Sequence, residues 1–275
     1  GTENVAYTYN ITTSDADGNF RTITAPTTPA WLSFTDNGNG TATLSGTPLN
    51  GNTGANSVTV RVNDGTVNTD QSFTITVADV NNAPAFTSSG VTTGTENAVY
   101  TYNIATIDAD GDARTITVPT KPSWLSFTDN GDGTATLSGT PLNANTGANS
   151  VTVRVNDGTV NTDQAFTITV ADVNNAPAFT SSGVTTGTEN VVYTYNITTS
   201  DADGNPRIIT APTKPSWLTL TDNGDGTATL SGTPLNANTG VNNVTIRAND
   251  GTVNTDQSFT ITVANVNNAP AFTSS

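Results

Sequence analysis

The sequence predicts an all-β chain of three tandem antiparallel sandwiches, and three observations carry that expectation. The first is self-similarity at a long period. "GTEN" recurs at Gly1, Gly94 and Gly187, so Glu3, Glu96 and Glu189 fall 93 residues apart both times (96 − 3 and 189 − 96). The second is period-two alternation of apolar and polar residues within each copy. The third is turn chemistry at short, regular intervals. A 93-residue unit is long enough to hold its own core, so the copies read as tandem domains rather than solenoid turns.

Taking the middle copy in order, "VYTYNI" places Tyr100, Tyr102 and Ile104 on one face of a strand. "DADGD" (Asp108–Asp112) then turns the chain. In "PSWLSF" the recurrent Trp124, with Trp31 and Trp217 in the other copies, reads as a large core anchor at strand spacing. An exposed Trp stacking on a sugar ring is the alternative. "DNGDG" (Asp129–Gly133) bridges two strands as a hairpin turn, and "GTPLNANTG" is a longer connection. "SVTVRVND" points Val151, Val153 and Val155 one way and Thr152 and Arg154 the other. "NDGTVNTD" turns again, and "AFTITV" repeats the alternation with Phe166, Ile168 and Val170. No segment has a 3.6-residue period.

The predicted boundaries are residues 1–83 for a first repeat lacking its first strand, 84–176 for the second and 177–268 for the third. Residues 269–275 read as the first strand of a further repeat or as a donor strand. The chain opens in mid-pattern, as expected of a piece of a longer or processed chain.

Composition narrows function. The formal charge is −15, from 23 acids against 8 bases, which disfavours nucleic acid and anionic membrane and favours cations. Cys, His and Met are absent, which removes disulfides, thiolate metal sites and the common general bases. No apolar run is long enough to insert in a membrane. Paired carboxylates on a surface loop are better cation ligands than an acid–base pair, so the chain is expected not to be an enzyme. A Cys-free, Thr/Asn/Gly/Asp-rich chain also fits an extracellular, bacterial cell-surface location.

The nonamer "ADVNNAPAF" (Ala78–Phe86) returns at Ala171–Phe179, and as "ANVNNAPAF" at Ala264–Phe272. Turn propensity accounts for any one acidic loop. It does not require a lone Glu, an Asp-x-Asp pair, an Asp-Gly and an Asp/Asn linker to recur together. Calcium takes six to eight oxygens, more than one short loop supplies. Sandwich loops gather at two ends, so Asp79, Asn81 and Asn82 are expected to meet Asp108, Asp110 and Asp157 of the next copy. Pro84, Pro177 and Pro270 fix φ in the linkers.

"DVNNAPAF" resembles the cadherin inter-domain linker. The order "PSWLSF…GTATLSGTP…VTVRVNDG…FTITVADVNNAP" is similar to the dystroglycan-type cadherin-like, or immunoglobulin-like, domains of bacterial surface adhesins. The resemblance spans essentially the whole chain and implies Greek-key sandwiches with Ca2+ between neighbouring repeats. It puts ligands at Glu3, Glu96, Asp15, Asp17, Asp108, Asp110, Asp201, Asp203, Asp64, Asp157 and Asp250. Linker oxygens come from Asp79, Asn81, Asn82, Asp172, Asn174 and Asn175. Asn82 and Asn175 stand where the linker pattern has its second Asp, which implies one or two ions per joint. Asn265 replaces the linker Asp in the third copy, where binding should be weakest.

The expected role is a calcium-stiffened stalk or fibre supporting adhesion, with neighbouring repeats as partners. Two alternatives stay open. One is a head-to-tail filament of identical subunits, in which the "NAPAFTSS" tail completes the first sandwich of the next molecule. The other is a carbohydrate-binding module.

Overall fold

The computed structural model describes residues 1–267 and 269–272. Repeat 1 contains β1 (Tyr7–Thr12), β2 (Thr22–Thr27), β3 (Leu32–Asp36), β4 (Thr41–Gly46), β5 (Gly54–Asn63) and β6 (Asn68–Val77). Repeat 2 contains β7 (Ala85–Phe86), β8 (Thr93–Thr95), β9 (Tyr100–Ile107), β10 (Thr115–Thr120), β11 (Leu125–Asp129), β12 (Thr134–Gly139), β13 (Gly147–Asn156) and β14 (Asn161–Ala171). Repeat 3 repeats the set as β15 (Ala178–Phe179), β16 (Thr186–Thr188), β17 (Tyr193–Ser200), β18 (Ile208–Thr213), β19 (Leu218–Asp222), β20 (Thr227–Gly232), β21 (Gly240–Asn249) and β22 (Asn254–Ala264).

Each repeat has two sheets. In repeat 1 their orders are β1-β4-β3 and β2-β5-β6. Repeat 3 has β15-β17-β20-β19 and β16-β22-β21-β18, and repeat 2 follows the same order. The chain crosses between sheets after β7, β8, β9, β10 and β12, with the Greek-key connection expected of this class. The all-antiparallel expectation needs one correction. β8 runs parallel to β14, and β16 parallel to β22, over three residues each. The first strand of the repeat is split between the sheets. "TGT" is too short to show alternation, so its direction is set by the chain that precedes it.

Alternation buries one face of each strand. In repeat 1, Ile11, Leu32 and Leu44 of one sheet pack against Ile23, Val58, Val60 and Ile75 of the other. In repeat 3, Tyr195, Ile197 and Leu230 meet Ile209, Ile246 and Ile261. The Trp residues belong to these cores. Trp217 lies edge-on to Tyr193 at 5.8 Å, and its indole N–H donates to Asn242 Oδ1 at 3.0 Å. Register shifts between Thr24 and Thr27, and again between Thr210 and Thr213. Pro26 and Pro212 fall inside those gaps and cannot donate to the ladder.

By internal contacts the chain divides into two units. One takes Gly1–Thr92, Thr101–Gly139 and Asn149–Ile168, and the other takes Thr93–Tyr100, Thr140–Ala148 and Thr169–Ser275. Each unit holds one complete junction between successive repeats. The tail reading of residues 269–275 falls partly outside the described residues.

Candidate metal centre

The first junction is built from five segments. Glu3 is held by the chain itself: Thr2 bridges to Ala78, and the Glu3 N–H donates to Ala78 O at 3.0 Å. Asn4 follows with φ of 58°, a left-handed conformation that Asn tolerates. Its Nδ2 donates to Glu3 Oε1 at 3.0 Å. Glu3 is thereby 2% exposed under the linker.

The linker meets the next repeat through amides. The Asn82 N–H donates to Asp110 Oδ2 at 2.6 Å, and Asn82 Nδ2 donates to Asp110 Oδ1 at 3.1 Å and to Glu3 Oε1 at 3.3 Å. Asn81 Nδ2 donates to Asp157 Oδ2 at 2.9 Å, and Asn81 Oδ1 accepts from Thr159 Oγ1 at 3.0 Å. Asn50 Nδ2, from the loop after β4, also donates to Asp110 Oδ1. Neither Asn50 nor Thr159 was singled out from sequence. The available signal was the recurrence of "PLN" and "DGTV" in every copy.

Carboxylate oxygens of Glu3, Asp79 and Asp110 lie within 4.8 Å of one another, as do those of Asp108, Asp110 and Asp112. Asp79 has its pKa raised by partial desolvation, and then by the charges of Asp110, Glu3 and Asp112. Asp157 is held well below the carboxylate range by the Val160 backbone N–H, Asn81 and Thr159. The first carboxylate loses solvent beside like charges, and the second is satisfied by donors.

The second junction repeats this geometry. Glu96, Asp172 and Asp203 form the equivalent group, within the same 4.8 Å. Asn175 donates to Asp203 Oδ2 at 2.6 Å and to Glu96 Oε1 at 3.0 Å, and Asn174 Nδ2 donates to Asp250 Oδ2 at 2.9 Å. Asn143 takes the place of Asn50 against Asp203. Asp172 is raised by desolvation, Asp203 and Glu96, and Asp250 is lowered chiefly by the Val253 N–H. Asp201 accepts the Asp203 N–H on Oδ1 at 3.0 Å.

Asp15, Asp17 and Asp64 stand apart. Asp15 Oδ1 accepts from the Asp17 and Asn19 N–H groups, and Asp64 Oδ1 from Thr66 and Val67. Among the described residues they form no group of three acids.

The donor chemistry, clustered carboxylates with no soft ligand, fits a hard cation. One observation adds to this. Asp108 Oδ2 and Asp201 Oδ2 are buried with no hydrogen-bond partner. A half-turn of the Asn82 amide would replace its NH2 by Oδ1 among the same carboxylates.

Tandem Greek-key sandwiches with acidic junctions define an immunoglobulin-like repeat array. The chain belongs to the "Putative Ig domain" family, whose pattern matches residues 1–78, 83–171 and 176–264. No curated protein matches it. Among solved structures it is similar to an endo-fucoidan hydrolase of glycoside hydrolase family 107 (29% identity, TM-score 0.36), covering 96% of this chain and 42% of that one. The chain thus spans less than half of that relative's length. It is also similar to titin I-band domains I67–I69 (11%, TM-score 0.41, covering 96% and 94%). Human protocadherin-24 EC1-2 is a third (19%, TM-score 0.40, covering 68% and 100%).

Immunoglobulin-like repeats usually serve as extracellular structural or adhesive modules, typically without enzymatic activity. Among the described residues no helix is long and apolar enough to cross a membrane.

Proposed function

We propose that the chain is a calcium-stiffened segment of a bacterial cell-surface or extracellular stalk that supports adhesion. The single observation behind this reading is the Glu3–Asp79–Asp110 group, in which one repeat, its linker and the next repeat each supply one carboxylate. Without a cation these charges repel and the linker flexes. With Ca2+ they share a counter-charge and the junction locks. Binding to the folded chain alone stabilises it by about 2.7 kcal/mol at a hundredfold excess over Kd. The test is a thermal melt in millimolar calcium and again in excess EDTA. A rise of many degrees with calcium supports the reading, and coincident melts reduce the acidic loops to ordinary turns.

A second reading rests on a different observation. Repeat 1 carries a cavity of about 230 Å3 lined by Ile11, Thr13, Ser14, Ile23, Val60 and Gln71, among others. In repeat 2, β7 pairs Ala85 with Ile107 and Phe86 with Thr106, and Ser88 bonds Tyr102, which bonds Gln164. Subtracting the repeat of 93 puts Thr106, Ile107 and Gln164 on Thr13, Ser14 and Gln71. We infer that this groove receives an extended Ala-Phe-Thr-Ser segment, supplied by a longer chain or by residues 271–274 of a second copy. Sedimentation with and without residues 269–275 distinguishes the two sources. Association that is lost on removal assigns the second copy.

A further inference from the structure

We propose that the two junctions are unequal: the first carries a second divalent-cation position, built by Asp108, Asp110 and Asp112, that the second holds only in weakened form. The proposal rests on the calcium reading above and deepens it.

Two independent observations carry it. Asp108, Asp110 and Asp112 each offer a carboxylate oxygen within 4.8 Å of the other two. Asp108 is also only 7% exposed, and its two oxygens differ. Oδ1 accepts the Asp110 and Asp112 N–H groups at 2.9 and 3.2 Å, which locks the loop around it. Oδ2 is buried with no donor. A buried carboxylate oxygen with no donor is unfavourable unless a cation takes it.

The third carboxylate separates the junctions. The loop reads "DADGD" in repeat 2 but "DADGN" in repeats 1 and 3, so Asn205 stands where Asp112 does. Asn205 Nδ2 donates to Asn174 Oδ1 at 3.1 Å, turning an N–H2 toward the linker. Asp201 Oδ2 is unpartnered there too, so the second junction keeps the orphan oxygen but has one charge fewer. Asp110 belongs to both groups at the first junction and is placed to bridge two ions. Affinity for a hard cation rises with the number of ligand charges. The first junction therefore loads at lower calcium, and at concentrations that leave the weaker position empty it holds one ion more.

Native mass spectrometry of the whole chain at stepped calcium concentrations tests this, with Asp112→Asn and Asn205→Asp beside the parent. Asp112→Asn is expected to hold one calcium fewer, and Asn205→Asp one more. Both positions lie in a surface loop, and calcium-free melts matching the parent confirm folding. If the parent binds calcium and both variants bind the same number, the proposal is overturned while the junction reading stands. If the parent binds none, both fall.

Discussion

Asn82 grips Asp110 twice, with its backbone N–H on Oδ2 at 2.6 Å and its side-chain Nδ2 on Oδ1 at 3.1 Å. The same amide also donates to Glu3 Oε1, so it partners both acids at once. Replacing it by a carboxylate should change sign with calcium. Asn82→Asp adds like charge beside both acids, so in EDTA the chain should lose about 1 kcal/mol or more of stability. In calcium the added ligand should raise affinity. Paired melts measure both, and a variant that responds identically in the two buffers would falsify the exchange.

Asp79 and Asp172 should behave in the opposite sense. Each has a raised pKa, because it loses solvent and, secondly, faces the acids of its own junction. Asp79→Asn removes the repelled charge and is expected to melt at or above the parent in EDTA. It should also gain less from calcium. Differential scanning calorimetry in both buffers checks this.

Stability without calcium should pass through a maximum on acidification. Asp157 and Asp250 are depressed below the ordinary value of 3.8, so their contribution is present above that value. It is lost as pH falls through their folded pKa. Asp79 and Asp172 are raised, so protonating them between their folded pKa and 3.8 relieves the desolvation of the charged form, and then the repulsion, and stabilises the fold. From neutral pH downward, the urea midpoint should first rise and then fall. The double variant Asp79→Asn/Asp172→Asn should lose the rise, and calcium should flatten it.

Core positions should outweigh surface ion pairs. Leu230 is fully buried, and Leu230→Ala should cost about 2–5 kcal/mol. Arg61→Ala breaks a two-point contact with Asp70, at 2.6 and 2.8 Å, but both side chains are about 40% exposed. It should leave the urea midpoint close to the parent's, because solvent screens an exposed ion pair. Urea denaturation ranks the two. Trp217 fluorescence should not respond to saccharides, since the ring is packed on Tyr193 and its N–H is taken by Asn242. Quenching by a sugar would revive the carbohydrate-binding alternative.

Repetition made much of the chain legible. Three copies at a spacing of 93 reveal the repeat, and alternation in "SVTVRVND" and "AFTITV" marks buried faces because side chains alternate along a strand. The meeting of Asn82 with Asp110 and of Asn81 with Asp157 was also legible, since linker and loops recur together. What the sequence by itself determined is therefore the unit, its core faces and the acidic loops that gather at each linker.

Only the tertiary structure decided which donors converge. Asn50 reaches Asp110 across 60 residues, a contact made by loop placement that no local pattern encodes. The parallel seat of β8 on β14 depends on where a linker delivers the chain. Asp112 reads as a turn residue until its carboxylate is found within 4.8 Å of those of Asp110 and the buried Asp108, because burial exists only once the fold encloses the loop.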